Sequence, residues 1–202
     1  MSQSEHRSSK IRPLVLPGLF RARDLDRLGL TMGRFRSMLR ADEIERIGRG
    51  LYRWRAAKSS ELETVAAVCA LAPNAVVCLL TALLIHDIGT QLPRQVWIAL
   101  DVKARKPRFE GLPVRVVRFS GSALRYGITT REALGVTIRI TSPARTVVDC
   151  FRYRNKIGID VAIEALRDVL RSRKATVSEI MRAADMCRAR TVMRTYLEAI
   201  AT

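Results

Sequence analysis

The chain has 202 residues, with 36 Lys+Arg against 19 Asp+Glu, a formal net charge of +17 and a pI near 11.0. A field of that sign draws in polyanions, and an aromatic content of 5% is too thin for the stacking platforms that hold single strands. No apolar run reaches the length of a membrane span and no CxxC pair exists, while a hydrophobic content of 48% suffices for buried cores.

Met1 to Lys10 is polar and serine-rich and reads as a mobile tail that includes His6. Pro13 and Pro17 interrupt the apolar residues after it, so Leu14 to Leu19 reads as a short helix or an extended lead-in. A helix is expected over Ala22 to Leu28, then a turn at Leu28-Gly29-Leu30, then a second helix capped by Thr31. Met32, Phe35, Met38 and Leu39 form its apolar stripe. At about 100° per residue, Gly33, Ser37 and Arg40 lie opposite the stripe, and Arg34 and Arg36 on its flanks. Helix, glycine turn, helix is the helix-turn-helix plan; an ordinary helical hairpin with a solvated charged face fits this stretch equally well.

The residues after Arg40 shift the balance. Ile44 to Ile47 and Leu51 to Trp54 are β-rich runs around Gly48-Arg49-Gly50, a hairpin with glycines where positive φ is expected. A hairpin after such a helix makes a wing, charged here by Arg46, Arg49 and Arg53. Arginines at a wing hold phosphates, and side chains near the start of a recognition helix read base edges. The DNA-contacting residues expected are Thr31, Gly33, Arg34, Arg36, Ser37, Arg40, Arg46 and Arg49. Residues 1–58 carry 14 Lys+Arg against 6 Asp+Glu and residues 59–202 carry 22 against 13, so net charge is denser at the front.

Ala56 to Ser59 reads as a junction, and Ser60 with Glu63 as a capping box opening a helix from Glu61 to Leu71, broken at Pro73-Asn74. Ala75 to Ile88 is apolar almost all round and is expected to be a central buried helix ended by Gly89. Val96–Val102, Val114–Phe119 and Val136–Ile140 read as three strands, with Gly121 to Glu132 as loop or short helix. Ser142 at the N-cap and Pro143 at N1 start a helix through Arg152. Asp160 opens another, with Ile163, Leu166 and Leu170 inward; Thr176 and Glu179 form a capping box; and Val192 to Ile200 is a last amphipathic helix. The expected fold is α+β: an N-terminal winged helix-turn-helix over residues 1–58, then a larger α+β domain over 59–202 with a small sheet and several helices.

Little catalytic chemistry is visible. HExxH, Walker A and a dinucleotide fingerprint are all missing. His86, in the last turn of its expected helix, fits a capping or packing role at the dipole's negative end. Asp101-Val-Lys103 at a strand end resembles part of a metal-dependent nuclease motif, but the next acid, Glu110, lies beyond a basic turn. Arg145 and Asp149, four apart on a helix, read as an ion pair worth about 0.3–0.5 kcal/mol. A second polyanion- or antitoxin-related surface is drawn at Arg145, Arg167, Arg171, Arg173 and Lys174, against the plainer reading of a solvated basic face. The four cysteines, Cys69, Cys78, Cys150 and Cys187, are far apart and read as buried thiols of a reducing, cytoplasmic compartment. No metal or cofactor site is expected.

Three runs together resemble the AbiEi-type antitoxins of type IV toxin-antitoxin (abortive infection) systems: the wing Arg46 to Arg53, the helix Thr81 to Gly89, and Thr141 to Asp149. The likeness covers residues 20–202. It implies a winged helix that represses its own operon by binding inverted repeats in double-stranded promoter DNA. It also implies a C-terminal domain that counters a nucleotidyltransferase-like toxin, commonly without a stable complex; separately, no membrane partner and no enzymatic activity are expected. Carried onto this chain, the DNA contacts fall on Thr31 to Arg40, Arg46 and Arg49. The departure is at the front, where two prolines break the lead-in to Phe20. The alternatives are a plain winged-helix transcription factor whose second domain binds a ligand or protein, and a metal-dependent nuclease.

Overall fold

In a computed structural model, the chain is described over residues 18–58 and 60–201; the serine-rich tail with His6, the lead-in up to Pro17 and junction residue Ser59 lie outside them. Among these described residues, two sheets and eight α-helices make an α+β fold. Three strands form the small sheet, β1 (Leu19–Arg21), β2 (Ile44–Gly48) and β3 (Leu51–Trp54), in the order β1-β3-β2 and antiparallel throughout. The larger sheet has β4 (Val76–Val77), β5 (Val96–Asp101), β6 (Val114–Phe119), β7 (Ile128–Ala133) and β8 (Val136–Thr141), in the order β6-β5-β4-β8-β7. β5 and β6 run parallel, as do β4 and β8; the other two pairs are antiparallel.

Alternation along the strands divides the interior into three clusters. Val77, Ile98, Leu100, Ile138 and Ile140 point to one face of the large sheet, under α2 (Glu63–Leu71). Val76, Trp97, Ala99 and Val117 point to the other. That second face is covered by α3 (Leu79–Ile85), α4 (Pro143–Arg152), α6 (Ile159–Arg171), α7 (Val177–Met186) and α8 (Arg190–Ala201), with short α5 (Arg154–Ile157) between α4 and α6. The third cluster is Phe20, Leu25, Phe35, Met38, Ile44 and Trp54, between the small sheet and α1 (Met32–Arg40). Strands β1 and β3 serve two cores at once: Leu19 and Leu51 turn towards α2, and Phe20, Tyr52 and Trp54 towards α1.

Several local expectations change. Ala22 to Leu28 is two 3-10 turns, Ala22–Asp24 and Asp26–Leu28, because its one well-buried side chain, Leu25, gives no second apolar row to anchor a continuous α-helix. The box at Ser60 does not form. The Ser60 hydroxyl accepts from the Leu62 amide, Glu63 instead pairs with Arg53 at 3.2 Å, and α2 starts at Glu63. The buried helix expected from Ala75 to Ile88 is strand β4 followed by the short α3. At the start of α3 Leu79, fully buried, sits at φ 50°, a strained position that packing must offset. The sheet also gains β7, expected as loop, whose Thr129 to Glu132 are exposed and so carry no alternating apolar signal.

Both Ser142, which accepts from the Arg145 amide with Pro143 at N1, and the reciprocal Thr176–Glu179 capping box are formed as read. The two runs Thr81–Gly89 and Thr141–Asp149 meet in space. His86, the C-cap of α3, lies 2.6 Å by its Nε2 from the Thr141 carbonyl, and the Thr146 hydroxyl also reaches that oxygen at 3.1 Å. A carbonyl can only accept, so the imidazole donates from Nε2. Burial, the largest influence, holds its pKa below the usual value; the Thr141 bond opposes this, and Arg131 and Lys174 reinforce it. As pH falls from about 6.5 the unfolded chain therefore takes up this proton first, and stability declines. Thermal melts between pH 7.5 and 5.5 are expected to show a drop that His86→Gln shrinks; equal slopes for both proteins would contradict this role.

Candidate nucleic-acid interface

Gly29 at φ 66° ends the second 3-10 turn, a left-handed position that glycine takes without strain, and the chain then enters α1 at Thr31. The Thr31 hydroxyl accepts from the Arg34 amide at 3.2 Å, which leaves its own O–H available to a ligand. Only Phe35 and Met38 of the apolar stripe are buried; Leu39 is half-buried and Met32 is 50% exposed. Phe35 is held edge-on to Tyr52, with ring centroids 4.8 Å apart, and Phe20 stacks on the same tyrosine at 5.9 Å. This aromatic cluster sets the rotation of α1 about its axis. Consequently Thr31, Gly33, Arg34, Arg36, Ser37 and Arg40 are all exposed on one side. Arg36 and Arg40 have no hydrogen-bond or ion-pair partner among the described residues, and Arg34 lies 3.8 Å from Glu43 across an exposed gap that contributes little. Gly33 faces open space, its nearest neighbour to a built Cβ being the Thr31 hydroxyl at 3.9 Å, so it keeps the helix surface low between the arginines.

The hairpin stands beside this helix. Its register pairs Ile44 with Trp54 and Arg46 with Tyr52, then shifts by one residue so that Gly48 faces Leu51. Gly50, at φ 67°, makes the turn; Gly48 does not take the positive φ expected of it. Arg46 and Arg49 are exposed, Arg46 bending back to the Gly48 carbonyl at 3.2 Å.

Arg53, expected to add charge to the wing, lies on β3 but has its charge taken up by acids. Its side chain is 15% exposed and is caught between Glu45 at 3.1 Å and Glu63 at 3.2 Å, with the Ala57 carbonyl at 3.3 Å. It fastens the hairpin to α2. Arg21 does the same from β1, donating to the Ala70 carbonyl at 3.3 Å, and the Leu19 amide bonds to the Leu134 carbonyl at 3.0 Å. The small sheet is therefore seated on the body through backbone and charge.

On the body, Arg145 is fully buried and is no part of any surface. Its Nε donates to Asp149 at 2.8 Å, and its two terminal nitrogens donate to the Ala123 and Tyr126 carbonyls at 2.6 and 2.9 Å. The sequence spacing of four residues showed the pair but not its burial. Arg167, Arg171 and Arg173 are exposed, yet α6 interleaves the first two with Asp160, Glu164 and Asp168, Arg171 bridges Asp168 at 2.6 Å, and Arg173 lies just past the end of the helix. Lys174 is tied to Asp87 at 3.2 Å. This face is mixed in sign rather than a uniform basic strip. Asp101, the residue of the nuclease-like run, accepts from the Lys103 amide at 2.8 Å and so caps its own turn. Burial pushes the Cys69 thiol up to about 12 and Cys187 to about 11, and all four cysteines are buried and free. None of the helices among the described residues is long and apolar enough to cross a membrane.

The sequence reading passed over two further exposed cations before α1, Arg23 and Arg27; they stand on the 3-10 turns that replace the expected helix. Their i, i+4 spacing was visible, but their side was not, since two short turns do not keep helical phase.

No curated protein matches the chain. Residues 15–53, from the lead-in through α1 and β2 to the third residue of β3, match the family described as transcriptional regulator, AbiEi antitoxin.

Proposed function

We propose that the protein is a winged helix-turn-helix repressor of its own operon and the antitoxin of a type IV pair. In this reading α1 is the recognition helix, β2–β3 the wing, residues 1–58 the DNA-binding part and residues 59–202 the part that counters a nucleotidyltransferase-like toxin, functionally and without a stable complex. The chain works in the cytoplasm and without catalysis of its own. The observation that carries it is the side of α1 bearing Thr31, Gly33, Arg34, Arg36, Ser37 and Arg40, exposed next to Arg46 and Arg49 of the hairpin. A helix about 10–12 Å across fits the roughly 12 Å major groove of B-DNA. Unpartnered guanidiniums there can bond base edges or phosphates, whereas those at the wing reach backbone. Two chains related by a two-fold axis would read an inverted repeat.

The test uses the full chain, since Leu19 and Leu51 belong to the body's core and a truncated body would expose them. Binding to the protein's own promoter is measured over a range of salt. Arg49→Ala is expected to weaken operator and scrambled duplexes by the same factor and to reduce the slope of log K against log salt by about 1. In parallel, the neighbouring open reading frame is co-expressed with the chain and growth is followed. Rescue by the wild type together with promoter binding supports both halves. A harmless neighbour removes the antitoxin half, and no binding to the promoter removes the repressor half.

A further inference from the structure

Strands β5 and β6 are adjacent and parallel, so the chain must return across the sheet between them, a task usually given to a helix. Here it is done by Val102–Pro113 with no helix at all. The crossover runs on the face shared with α2, Leu19 and Leu51, because its Ala104, Phe109 and Leu112 pack against that core. With the apolar residues turned inward, Lys103, Arg105, Lys106 and Arg108 are left exposed. None of their side chains has a hydrogen bond or ion pair among the described residues.

The crossover is held at both ends. Arg118 donates from Nη1 to the carbonyls of Asp101 and Ala104, each at 2.7 Å, the Asp101 carboxylate caps the Lys103 amide, and the Leu112 amide closes on the Phe109 carbonyl at 3.0 Å. It also touches the hairpin: a Cβ built on Gly48 would lie 3.9 Å from the Glu110 carbonyl. Arg46 and Arg49 are within two residues of Gly48, and Arg108 is two residues from Glu110. At about 3.8 Å per residue, their Cα atoms fall within roughly 25 Å of one another. That is less than one turn of duplex, about 34 Å.

We propose that the Lys103–Arg108 crossover is a second phosphate-binding site that continues the track of Arg46 and Arg49 along the same DNA duplex. The inference rests on the DNA-binding reading above. Four cations fixed on a braced loop, with Glu110 as the one exposed acid beside them, suit the sequence-independent contact that adds affinity and salt dependence without reading bases.

The test compares the full-length wild type with the variant Arg105→Ala/Lys106→Ala/Arg108→Ala on the promoter duplex and on a scrambled duplex of equal length. Loss of three phosphate contacts is expected to lower the salt slope by about 2–3 and to weaken both duplexes equally, leaving their ratio unchanged. Shortening the duplex on the wing side is expected to weaken the wild type and not the variant. Arg105→Lys/Arg108→Lys should keep the wild-type slope. A triple-alanine variant with unchanged slope overturns the inference while Arg36→Ala/Arg40→Ala still abolishes binding. Failure of the wild type to bind any duplex overturns it together with the DNA-binding reading. Unchanged DNA binding with lost growth rescue also overturns it, and assigns the loop to an acidic protein instead.

Discussion

Asp149→Ala is expected to cost about 3–5 kcal/mol, a large share of the 5–15 kcal/mol that holds a domain of this kind together. The reason is what it leaves behind. Arg145 is fully buried, its guanidinium lies over the Phe119 ring with 5.1 Å to the centroid, and Asp149 is its only carboxylate partner among the described residues. Once that carboxylate is gone, the cation has two carbonyls and an aromatic face but no counter-charge. Arg152, 28% exposed and 2.9 Å from the other Asp149 oxygen, loses a partner too but can turn to water. Burial pushes the Asp149 carboxyl up while Arg145 and Arg152 pull it back, as befits a charge whose survival depends on its partners. The check is the urea midpoint at constant m-value. A midpoint shift equivalent to less than about 1 kcal/mol would mean that the pair behaves like the exposed helical pair its spacing suggested. Asp149→Asn should fall between, since the amide oxygen keeps one bond and loses the charge.

Arg36→Ala and Arg40→Ala are expected to act in the opposite sense, leaving stability untouched and removing binding. Both side chains are exposed and without partners among the described residues, so truncation takes nothing from the folded state beyond a few tenths of a kcal/mol. On the promoter each should cost on the order of 10-fold or more in affinity, about 1–3 kcal/mol if the guanidinium reads a guanine edge, and the two together considerably more. Discrimination separates the roles: a base-reading arginine lowers the ratio of operator to scrambled binding, a phosphate-holding one lowers only the slope. Wild-type affinity in both variants would falsify the assignment of this side of α1. Growth rescue by the same double variant is expected to persist, because neither residue touches the body's cores.

The α1 face was legible because amphipathic phase is local: Phe35 and Met38 inward set the opposite side outward, whatever else the chain does. The hairpin was legible from its β-rich runs and the glycine that its turn requires. The match over residues 15–53 falls on this same front segment. Elsewhere the signal failed for identifiable reasons. Val76 and Val77 sit in a run that is apolar all round, which has no phase to distinguish a central strand from a buried helix. Edge strand β7 has exposed polar residues where a half-buried strand would alternate.

By itself, then, the sequence determined what depends on neighbours within a turn or two: the helix rotation, the hairpin, the caps at Ser142 and Thr176, and the excess of positive charge at the front. Only the tertiary structure decided which cations stay free. Arg53 meets Glu63 on α2, Arg145 meets the Ala123 and Tyr126 carbonyls, and Lys174 meets Asp87, all partners brought in from another element. The crossover's cations, by contrast, are left outside because Phe109 and Leu112 take the inner positions. Charge is written residue by residue, but its availability is set by burial and by partners distant in sequence, and those exist only once the sheet has assembled.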